Sequence, residues 1–549
     1  MVTVESSLAN LNRYMRKPIS IATLSESLLQ MGFELDDPSP DALKMDITAD
    51  RPDMISTAGI ARVLNAYLGY AKGVPLVQVK KSTYSIEVNS SVIPLRPFTA
   101  AFVVKNLTIT EEVLKEIIYV QEKLHATFAR ERKKASIGIY PLAPIQWPVR
   151  FTGEKPNEIS FVPLGETKPF SGSQILSQHP TGKKYAHLLH GFPAYPVFRD
   201  AKGSVLSLPP IINSQTTGVV TTKDRELFVE VSGHYWPTVS VVTDILAHLF
   251  HDMKGEIYEV HVHFPNEKTP RTTPELKKIE QTLDVELVNA TLGSNFSAAQ
   301  VSDLLSRMMY SALKMNPKQL VVETPQMRAD ILHPLDVVDD VGRAYGFSNL
   351  SPVPVEVYTR GGILPQTQWN DDIRTCVVGM GFQEVMSWVL TSHEHHFSAL
   401  ERKETRHVKL GVAKEQGLTM VRNMLYPETL RALLANRSHT LPFRLFELDQ
   451  VVEMDPSTDT GTRTRYKLCL VLGHASASFA EIKSCTDALA RQLGLSVSYE
   501  NAAMDGFIEG RVARIKMGKK EGFLGELHPR VLARVGVPFP IAILEMHVD

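Results

Sequence analysis

Cysteine is scarce in this 549-residue chain, where Cys376, Cys469 and Cys485 lie far apart and form no CxxC pair. The sequence therefore indicates neither a structural zinc site nor a disulfide framework, and it favours a reducing compartment. Long apolar runs are also missing, and the N-terminus lacks the apolar core of a signal peptide. We expect a cytoplasmic protein without a membrane partner.

Excess charge of either sign is lacking too, because the formal net charge is −1. Binding to nucleic acid would therefore have to come from local patches. Two basic runs are candidates: Arg130, Arg132, Lys133 and Lys134 in the first, and Arg511, Arg514, Lys516, Lys519 and Lys520 in the second. Each is either solvated surface or an RNA contact, and the sequence alone favours solvated surface.

The chain is too long for one hydrophobic core, and it contains no internal repeat or low-complexity segment. Alternating strand and helix patterns predict four α+β modules, at residues 1–85, 86–265, 266–355 and 356–549. A linker is predicted at "TPRTTPELKKIE". Long helices are predicted at "TEEVLKEIIYVQEKLHATFARERKK" and "SAAQVSDLLSRMMYSAL".

The segment "RADILHPLDVVDDVGRAYGF" (328–347) gathers four aspartates, Asp330, Asp336, Asp339 and Asp340. Pro334 predicts a helix that begins directly after it, so that the last three aspartates lie near its N-terminus. The helix dipole would stabilise one or two of them. It does not account for Asp330, and four carboxylates are the hard oxygen ligands that Mg²⁺ uses. Spacing alone leaves both interpretations open.

Two strand ends carry polar residues. In "LSLPPIINSQ" (206–215), Pro209 and Pro210 interrupt a strand before Asn213. In "FVEVSGHYW", Glu230 and Ser232 lie on one face of another strand. They form either a polar pocket or two surface turns, and the sequence favours turns. Four histidines, His125, His393, His395 and His396, are predicted to be surface or capping residues.

The last module is similar to the core of a class II aminoacyl-tRNA synthetase in "VVGMGFQEVMSWVL" and "FRLFELDQVV". Arg444 and Glu447 are present in "FRLFE", but no glycine-rich motif with an arginine follows, and "GFLGELHP" lacks the arginine. Because ATP phosphates need cationic compensation, we predict that this module does not activate an amino acid.

Six motifs together resemble β subunits of phenylalanyl-tRNA synthetase of the archaeal and eukaryotic cytosolic type, at residues 50–69, 96–107, 206–214, 328–347, 419–433 and 523–532. The resemblance implies an N-terminal α/β domain, an editing domain, a small winged-helix-like metal-binding domain and a class II synthetase-like antiparallel sheet domain without catalytic motifs. It also implies a catalytic α subunit that binds ATP, an (αβ)₂ heterotetramer, and tRNA(Phe) as partner.

The resemblance further assigns roles to individual residues. Asp330, Asp336, Asp339 and Asp340 match the family's Mg²⁺ ligands. Leu206, Asn213, Glu230 and Ser232 would form the pocket that hydrolyses mischarged Tyr-tRNA(Phe). "VSGHYW" departs from the family's Thr-Gly-Thr-Asp-like run, so a structural subunit that has lost editing is one alternative. A free-standing editing hydrolase is the other.

Overall fold

The computed structural model describes residues 2–352, 354, 359–413 and 417–549. The chain forms two compact units, residues 1–354 and 355–549, each of which mixes helices with β-sheet. The prediction of a multidomain chain of mixed class is thereby confirmed. The finer domain descriptions stay predictions. Within the ranges that the structure describes, no helix is long and apolar enough to cross a membrane.

The first unit contains nineteen strands and ten α-helices in its described residues. The strands are β1 Val2–Ser6, β2 Glu34–Ser39, β3 Ala42–Ile47, β4 Val79–Lys80, β5 Ser85–Val88, β6 Phe98–Lys105, β7 Ala135–Pro141, β8 Val149–Glu154, β9 Ser160–Phe161, β10 Phe170–Ser171, β11 Tyr195–Arg199, β12 Val205–Leu208, β13 Ile212–Asn213, β14 Leu227–Gly233, β15 Glu256–His263, β16 Arg271–Thr273, β17 Lys278–Asp284, β18 Ser311–Met315 and β19 Gln319–Pro325. The helices are α1 Leu8–Tyr14, α2 Ile21–Gln30, α3 Thr57–Tyr67, α4 Glu111–Ala126, α5 Gly172–Gln178, α6 Pro180–Tyr185, α7 Trp236–Asp252, α8 Val285–Leu292, α9 Ala298–Ser306 and α10 Pro334–Tyr345.

An eleven-stranded sheet organises this unit. Its main path runs β13-β12-β11-β8-β5-β15-β6-β14-β7, so β13 and β7 are the two ends. β4 and β16 both pair with β15, which carries the sheet past the predicted domain limits at 85 and 265. The predicted linker is therefore partly strand, because Thr273 is buried and its hydroxyl donates to the carbonyl of Ala101 at 2.6 Å.

Two long helices predicted from the sequence are shorter in the structure. α4 ends at Ala126, and the chain then passes through three consecutive left-handed residues, Arg130, Glu131 and Arg132, with φ of 50°, 52° and 63°. α9 ends at Ser306, and the remainder of its predicted length forms β18 after Met309 turns the backbone at φ 68°. β18 pairs with β19, so tertiary pairing overrides the local helical pattern there.

The second unit is built on a sheet of seven strands in the order β20-β23-β24-β28-β27-β26-β25. All pairs are antiparallel except β20 with β23. Its described strands are β20 Gln383–Glu384, β21 Leu390–Thr391, β22 Met420–Val421, β23 Phe443–Met454, β24 Thr462–Gly473, β25 Val497–Asn501, β26 Phe507–Met517, β27 Lys520–Leu527 and β28 Ile541–His547. Its described helices are α11 Pro365–Gly379, α12 His393–His396, α13 Tyr426–Ala435, α14 Phe479–Gln492 and α15 Pro529–Val535.

Candidate functional site

A cavity of about 380 Å³ lies where the two ends of the large sheet approach each other. β12 and β13 line one side with Ser207 and Asn213, which are direct partners in the strand register. β7 and β14 line the other side, and α4 covers the cavity. The hydroxyl of Tyr140 lies 2.8 Å from Oγ of Ser207, so a hydrogen bond joins the two ends of the sheet. The interrupted strand at the two prolines therefore borders a pocket, and the prediction of surface turns is wrong.

Glu230 is the acidic group on the wall that β14 contributes. Its Oε1 lies 3.1 Å from the hydroxyl of Tyr140, whereas its buried Oε2 forms no hydrogen bond in the described residues. Burial raises the pKa of Glu230 to about 8, although Tyr140 and the Arg96 guanidinium lower it. The carboxyl group is therefore mainly protonated at neutral pH, and it can donate as well as accept a hydrogen bond.

Leu206 and Ser232 lie outside the residues that line the cavity. Side chains alternate along a strand, so Leu206 points opposite to Ser207 and packs in the apolar core. Ser232 is fully buried, and its hydroxyl accepts a hydrogen bond from Nε of Arg96 at 3.0 Å. Arg96 also donates to Ser136, which does line the cavity. Of the four predicted pocket residues, the structure thus places Asn213 and Glu230 on the cavity wall.

The sequence did not single out Arg132 as a cavity residue. Its Nη1 donates to the carbonyls of Pro210 and Ile211, at 3.2 and 2.9 Å, and its Nη2 donates to Glu122 at 3.0 Å. Its guanidinium also lies 4.3 Å from the ring centroid of Tyr185. Arg132 therefore clamps the β12–β13 connection to α4, and the solvated-surface interpretation is wrong for this member of the first basic run. The left-handed backbone at residues 130–132 could not be predicted from the sequence.

The histidine predictions were half right. His125 is 2% exposed, and its Nε2 accepts from the backbone N–H of Ile137 at 2.8 Å on the cavity wall. Burial lowers the pKa of His125, so a neutral imidazole is favoured. His396 is also buried, and its Nε2 lies 2.8 Å from Oδ1 of Asn423. His393 and His395 are exposed, as predicted.

The four predicted Mg²⁺ ligands line one small pocket of about 100 Å³, together with Asp50, Arg51 and Arg343. Asp336 lies in the first turn of α10, where its Oδ2 accepts hydrogen bonds from the backbone N–H groups of Leu332 and His333. The N-terminus of α10 therefore stabilises the negative charge of Asp336, as the sequence predicted for one or two of the aspartates.

Arginines compensate the other three aspartates. Nη2 of Arg328 lies 2.7 Å from Oδ2 of both Asp330 and Asp340, and Arg328 is 1% exposed. Arg343 pairs with Asp339 one helical turn away at 2.5 Å. The two arginines of the segment therefore neutralise its own aspartates, a pairing that the spacing of the residues did not indicate.

The donor chemistry of this pocket fits Mg²⁺. Five carboxylates line it against two arginines. Within the described ranges, all hydrogen bonds to Asp336, Asp339 and Asp340 reach Oδ2, which leaves their Oδ1 atoms available. No three acidic, histidine or cysteine side chains converge as a metal cage anywhere in the described ranges. Mg²⁺ commonly keeps several waters and binds one or two carboxylates, so an open acidic pocket suits it better than a closed cage would.

In the second unit, the residues considered for an ATP site are engaged internally. Arg444 donates to Glu481 at 3.0 Å and to the carbonyl of Met380 at 3.3 Å. Glu447 is 1% exposed and pairs with buried Arg422 at 2.7 Å. These contacts stabilise the sheet and leave neither side chain free for a nucleotide.

Two family models match the chain. "Phenylalanyl tRNA synthetase beta chain CLM domain" matches residues 351–548, and "tRNA synthetase B5 domain" matches residues 281–347. A solved N-terminal fragment of the phenylalanyl-tRNA synthetase beta subunit from Pyrococcus horikoshii superimposes with a TM-score of 0.60 at 30% identity, over 62% of this chain and 99% of the fragment.

Full-length relatives show the same likeness. The phenylalanine--tRNA ligase beta subunit of Thermococcus sibiricus is 32% identical over 98% of this chain and 96% of its own length. The beta subunit of Pyrococcus furiosus is 32% identical over 98% and 97%, and that of Archaeoglobus fulgidus is 33% identical over 96% and 95%. The chain therefore belongs to the phenylalanine--tRNA ligase beta-subunit family.

Proposed function

We propose that the chain is the β subunit of a complex that joins phenylalanine to tRNA(Phe), and that its cavity hydrolyses mischarged Tyr-tRNA(Phe). The catalytic α subunit would bind ATP and activate phenylalanine, in an (αβ)₂ heterotetramer. The internal engagement of Arg444 and Glu447 supports a non-activating role for the second unit. The observation that carries the editing proposal is the buried Oε2 of Glu230 on the cavity wall, which has no hydrogen-bond partner among the described residues.

That atom distinguishes tyrosine from phenylalanine. A buried polar atom without a partner costs free energy, and a phenolic hydroxyl beside Oε2 would remove that cost. Phenylalanine has no hydroxyl and would leave the group unsatisfied. A site that requires a hydrogen bond can reject an analogue without the bonding group by several orders of magnitude. An apolar pocket that binds phenylalanine for aminoacylation, in contrast, rejects an added hydroxyl only weakly.

The reaction requires no covalent intermediate with the protein. A water oxygen attacks the ester carbonyl carbon of the tyrosyl group, the bond from that carbon to the ribose oxygen breaks, and the ribose oxygen takes a proton. Asn213, opposite Glu230 across the cavity, offers an amide that can orient either the water or the ester. Leu206 supports the wall from the core, and Ser232 supports it through Arg96.

The test is single-turnover deacylation by the complex reconstituted with the α subunit from the same source. Wild type should hydrolyse Tyr-tRNA(Phe) much faster than Phe-tRNA(Phe). Glu230→Leu removes both oxygens and should reduce that preference by roughly tenfold or more, while phenylalanine-dependent ATP–pyrophosphate exchange stays unchanged. Equal rates on both substrates in wild type would support a subunit that has lost editing. Full activity on Tyr-tRNA(Phe) without the α subunit, together with no assembly with it, would support a free-standing hydrolase.

An exposed apolar segment of the second unit supports an α-subunit interface. Met386 is 91% exposed and Trp388 is 75% exposed, and Val389 and Leu390 follow directly. Single exposed apolar residues are ordinary, but a contiguous group that contains tryptophan and methionine is typical of protein interfaces. This segment follows β20, the edge strand of the sheet, where a partner can extend the contact.

The aspartate-lined pocket is the proposed Mg²⁺ site of this subunit. Asp330, Asp336, Asp339 and Asp340 would hold the ion, which supplies positive charge to a pocket whose carboxylates outnumber its arginines. The ion would act on stability and on the position of α10, because the pocket contains no group of the proposed editing reaction.

A further inference from the structure

A different cavity, of about 390 Å³, opens in the first unit near the carboxyl ends of α1, α3 and α7. Its charged lining residues are Arg16, Arg62, Lys72 and Lys254 against a single acid, Asp252. Neither the editing proposal nor the Mg²⁺ proposal uses this cavity. Its excess of positive charge contrasts with the net charge of −1 for the whole chain.

The deep part of the cavity is charge-balanced, and its mouth is cationic. Nη1 of Arg62 donates to Asp252 at 2.7 Å, while its buried Nε forms no hydrogen bond in the described residues. Lys72 pairs with Asp303 at 2.5 Å. Arg16 and Lys254 are exposed, and neither forms an ion pair within the part of the chain that the structure describes. These two residues can therefore accept an anionic partner without losing an existing ion pair.

The backbone of Lys254 is unusual. It follows Met253, the C-cap of α7, and has φ of 69°, in the left-handed region where glycine or asparagine usually ends a helix. The helix dipole accounts for a positive charge at this end, but not for a lysine in this conformation. Residues held in such conformations concentrate at functional sites. Lysine carries a backbone cost in this conformation that glycine would not, and it brings a positive charge to the cavity lining.

We propose that this cavity binds the phosphodiester backbone of tRNA, an inference that rests on the proposed function for the identity of the RNA. Cations at a concave mouth neutralise phosphates, and such contacts position the nucleic acid without reading its sequence. Leu76, which is 75% exposed, and Pro75 provide an apolar wall beside the charges, suited to a ribose or base. Arg132 of the first basic run is occupied internally, so its guanidinium is not offered to a phosphate.

The experiment measures the affinity of the reconstituted complex for a tRNA(Phe) transcript between 50 and 200 mM salt. Arg16→Gln and Lys254→Gln together should weaken binding by about tenfold, and should reduce the slope of log K against log salt by about two. Lys268→Gln is the matched control, because Lys268 is exposed and has no ion pair in the described residues. Lys254→Arg keeps the charge and should keep the slope.

Lys254→Gly separates binding from folding. Glycine adopts φ of 69° without strain, so this variant should melt at or above the wild-type temperature while it binds tRNA more weakly. Unchanged affinity and salt slope in Lys254→Gly and in the double variant would overturn the proposal. Deacylation of Tyr-tRNA(Phe) by wild type is measured alongside, so a failure of the editing proposal would show separately, as absent deacylation in wild type.

Discussion

Gly138 on β7 lies directly opposite Glu230 on β14 in the strand register, and a β-carbon at position 138 would lie only 2.4 Å from Oε1 of Glu230. The same β-carbon would lie 2.2 Å from the hydroxyl of Tyr140. The absence of a side chain at 138 therefore allows the carboxyl and the phenol to meet over the strand. The position of these two polar groups therefore depends on one glycine beside the cavity.

Gly138→Ala should consequently impair editing more than folding. The methyl group must push the Glu230 carboxyl or the Tyr140 ring aside, which breaks their 3.1 Å contact. We expect at least a tenfold fall in Tyr-tRNA(Phe) deacylation, a destabilisation of about 1–3 kcal/mol from overpacking, and unchanged ATP–pyrophosphate exchange by the complex. Gly411→Ala is the control, because no heavy atom of the described chain lies within 4 Å of the added carbon there. Equal deacylation by Gly138→Ala and wild type would contradict the assignment of this cavity.

Because the pKa of Glu230 is raised in the folded protein, we expect the free energy of unfolding to fall as pH rises. The folded protein keeps the proton up to about pH 8, whereas the unfolded chain releases it near the ordinary value of 4.5. Between these values the folded state binds more protons, so the free energy of unfolding falls as pH rises, by up to about 1.4 kcal/mol per pH unit. Glu230→Gln does not titrate. The melting temperature of Glu230→Gln minus that of wild type should therefore increase from pH 5 to pH 8 and level off above. A constant difference would show that the carboxyl titrates normally.

The sequence was informative wherever local pattern and tertiary structure agree. The helix that starts at Pro334 was predicted from residue type and spacing, and it lines the aspartate pocket. For Asn213 and Glu230 the pattern alone favoured surface turns, and only the family resemblance assigned them to the pocket that they line. Leu206 shows the limit of this reasoning. Which face of a strand meets a cavity depends on the pairing register, and a shift of one residue exchanges Leu206 for Ser207.

Partners that are distant in sequence or unusual in backbone could not be inferred. Arg96 contacts Ser232 across 136 positions, and Arg51 approaches the aspartate pocket from far upstream. A position in a basic run favours solvated surface for Arg132, yet its guanidinium binds two carbonyls of the β12–β13 connection after a turn of left-handed backbone. Long-range ion pairs and positive φ values are properties of the assembled fold.

Trp388 should contribute strongly to assembly with the α subunit. Its side chain is 75% exposed within a contiguous apolar segment, and buried tryptophans commonly contribute 2 kcal/mol or more at interfaces. Trp388→Ala should weaken association of the separately purified subunits by roughly thirtyfold or more in titration calorimetry. Leu29→Ala provides the comparison, since Leu29 is 71% exposed in the other unit and should leave association unchanged. Wild-type affinity in Trp388→Ala would place the interface elsewhere.

Mg²⁺ should stabilise the complex through the aspartate pocket, and Asp336→Asn separates this effect from helix capping. The side-chain oxygen of asparagine can still accept the hydrogen bonds that the backbone N–H groups of Leu332 and His333 donate to Asp336. The variant therefore removes the charge and preserves the capping of α10. Wild type should melt higher in Mg²⁺ than in EDTA, by an increment equivalent to about 2.7 kcal/mol when the ion is at one hundred times its Kd. That increment should shrink in Asp336→Asn, whereas the melting temperature in EDTA should change little.

Asp303→Asn, on an exposed aspartate outside the pocket, should keep the full increment. An increment of wild-type size in Asp336→Asn would mean that the helix terminus and the arginines already compensate these carboxylates and that the ion binds elsewhere in the complex.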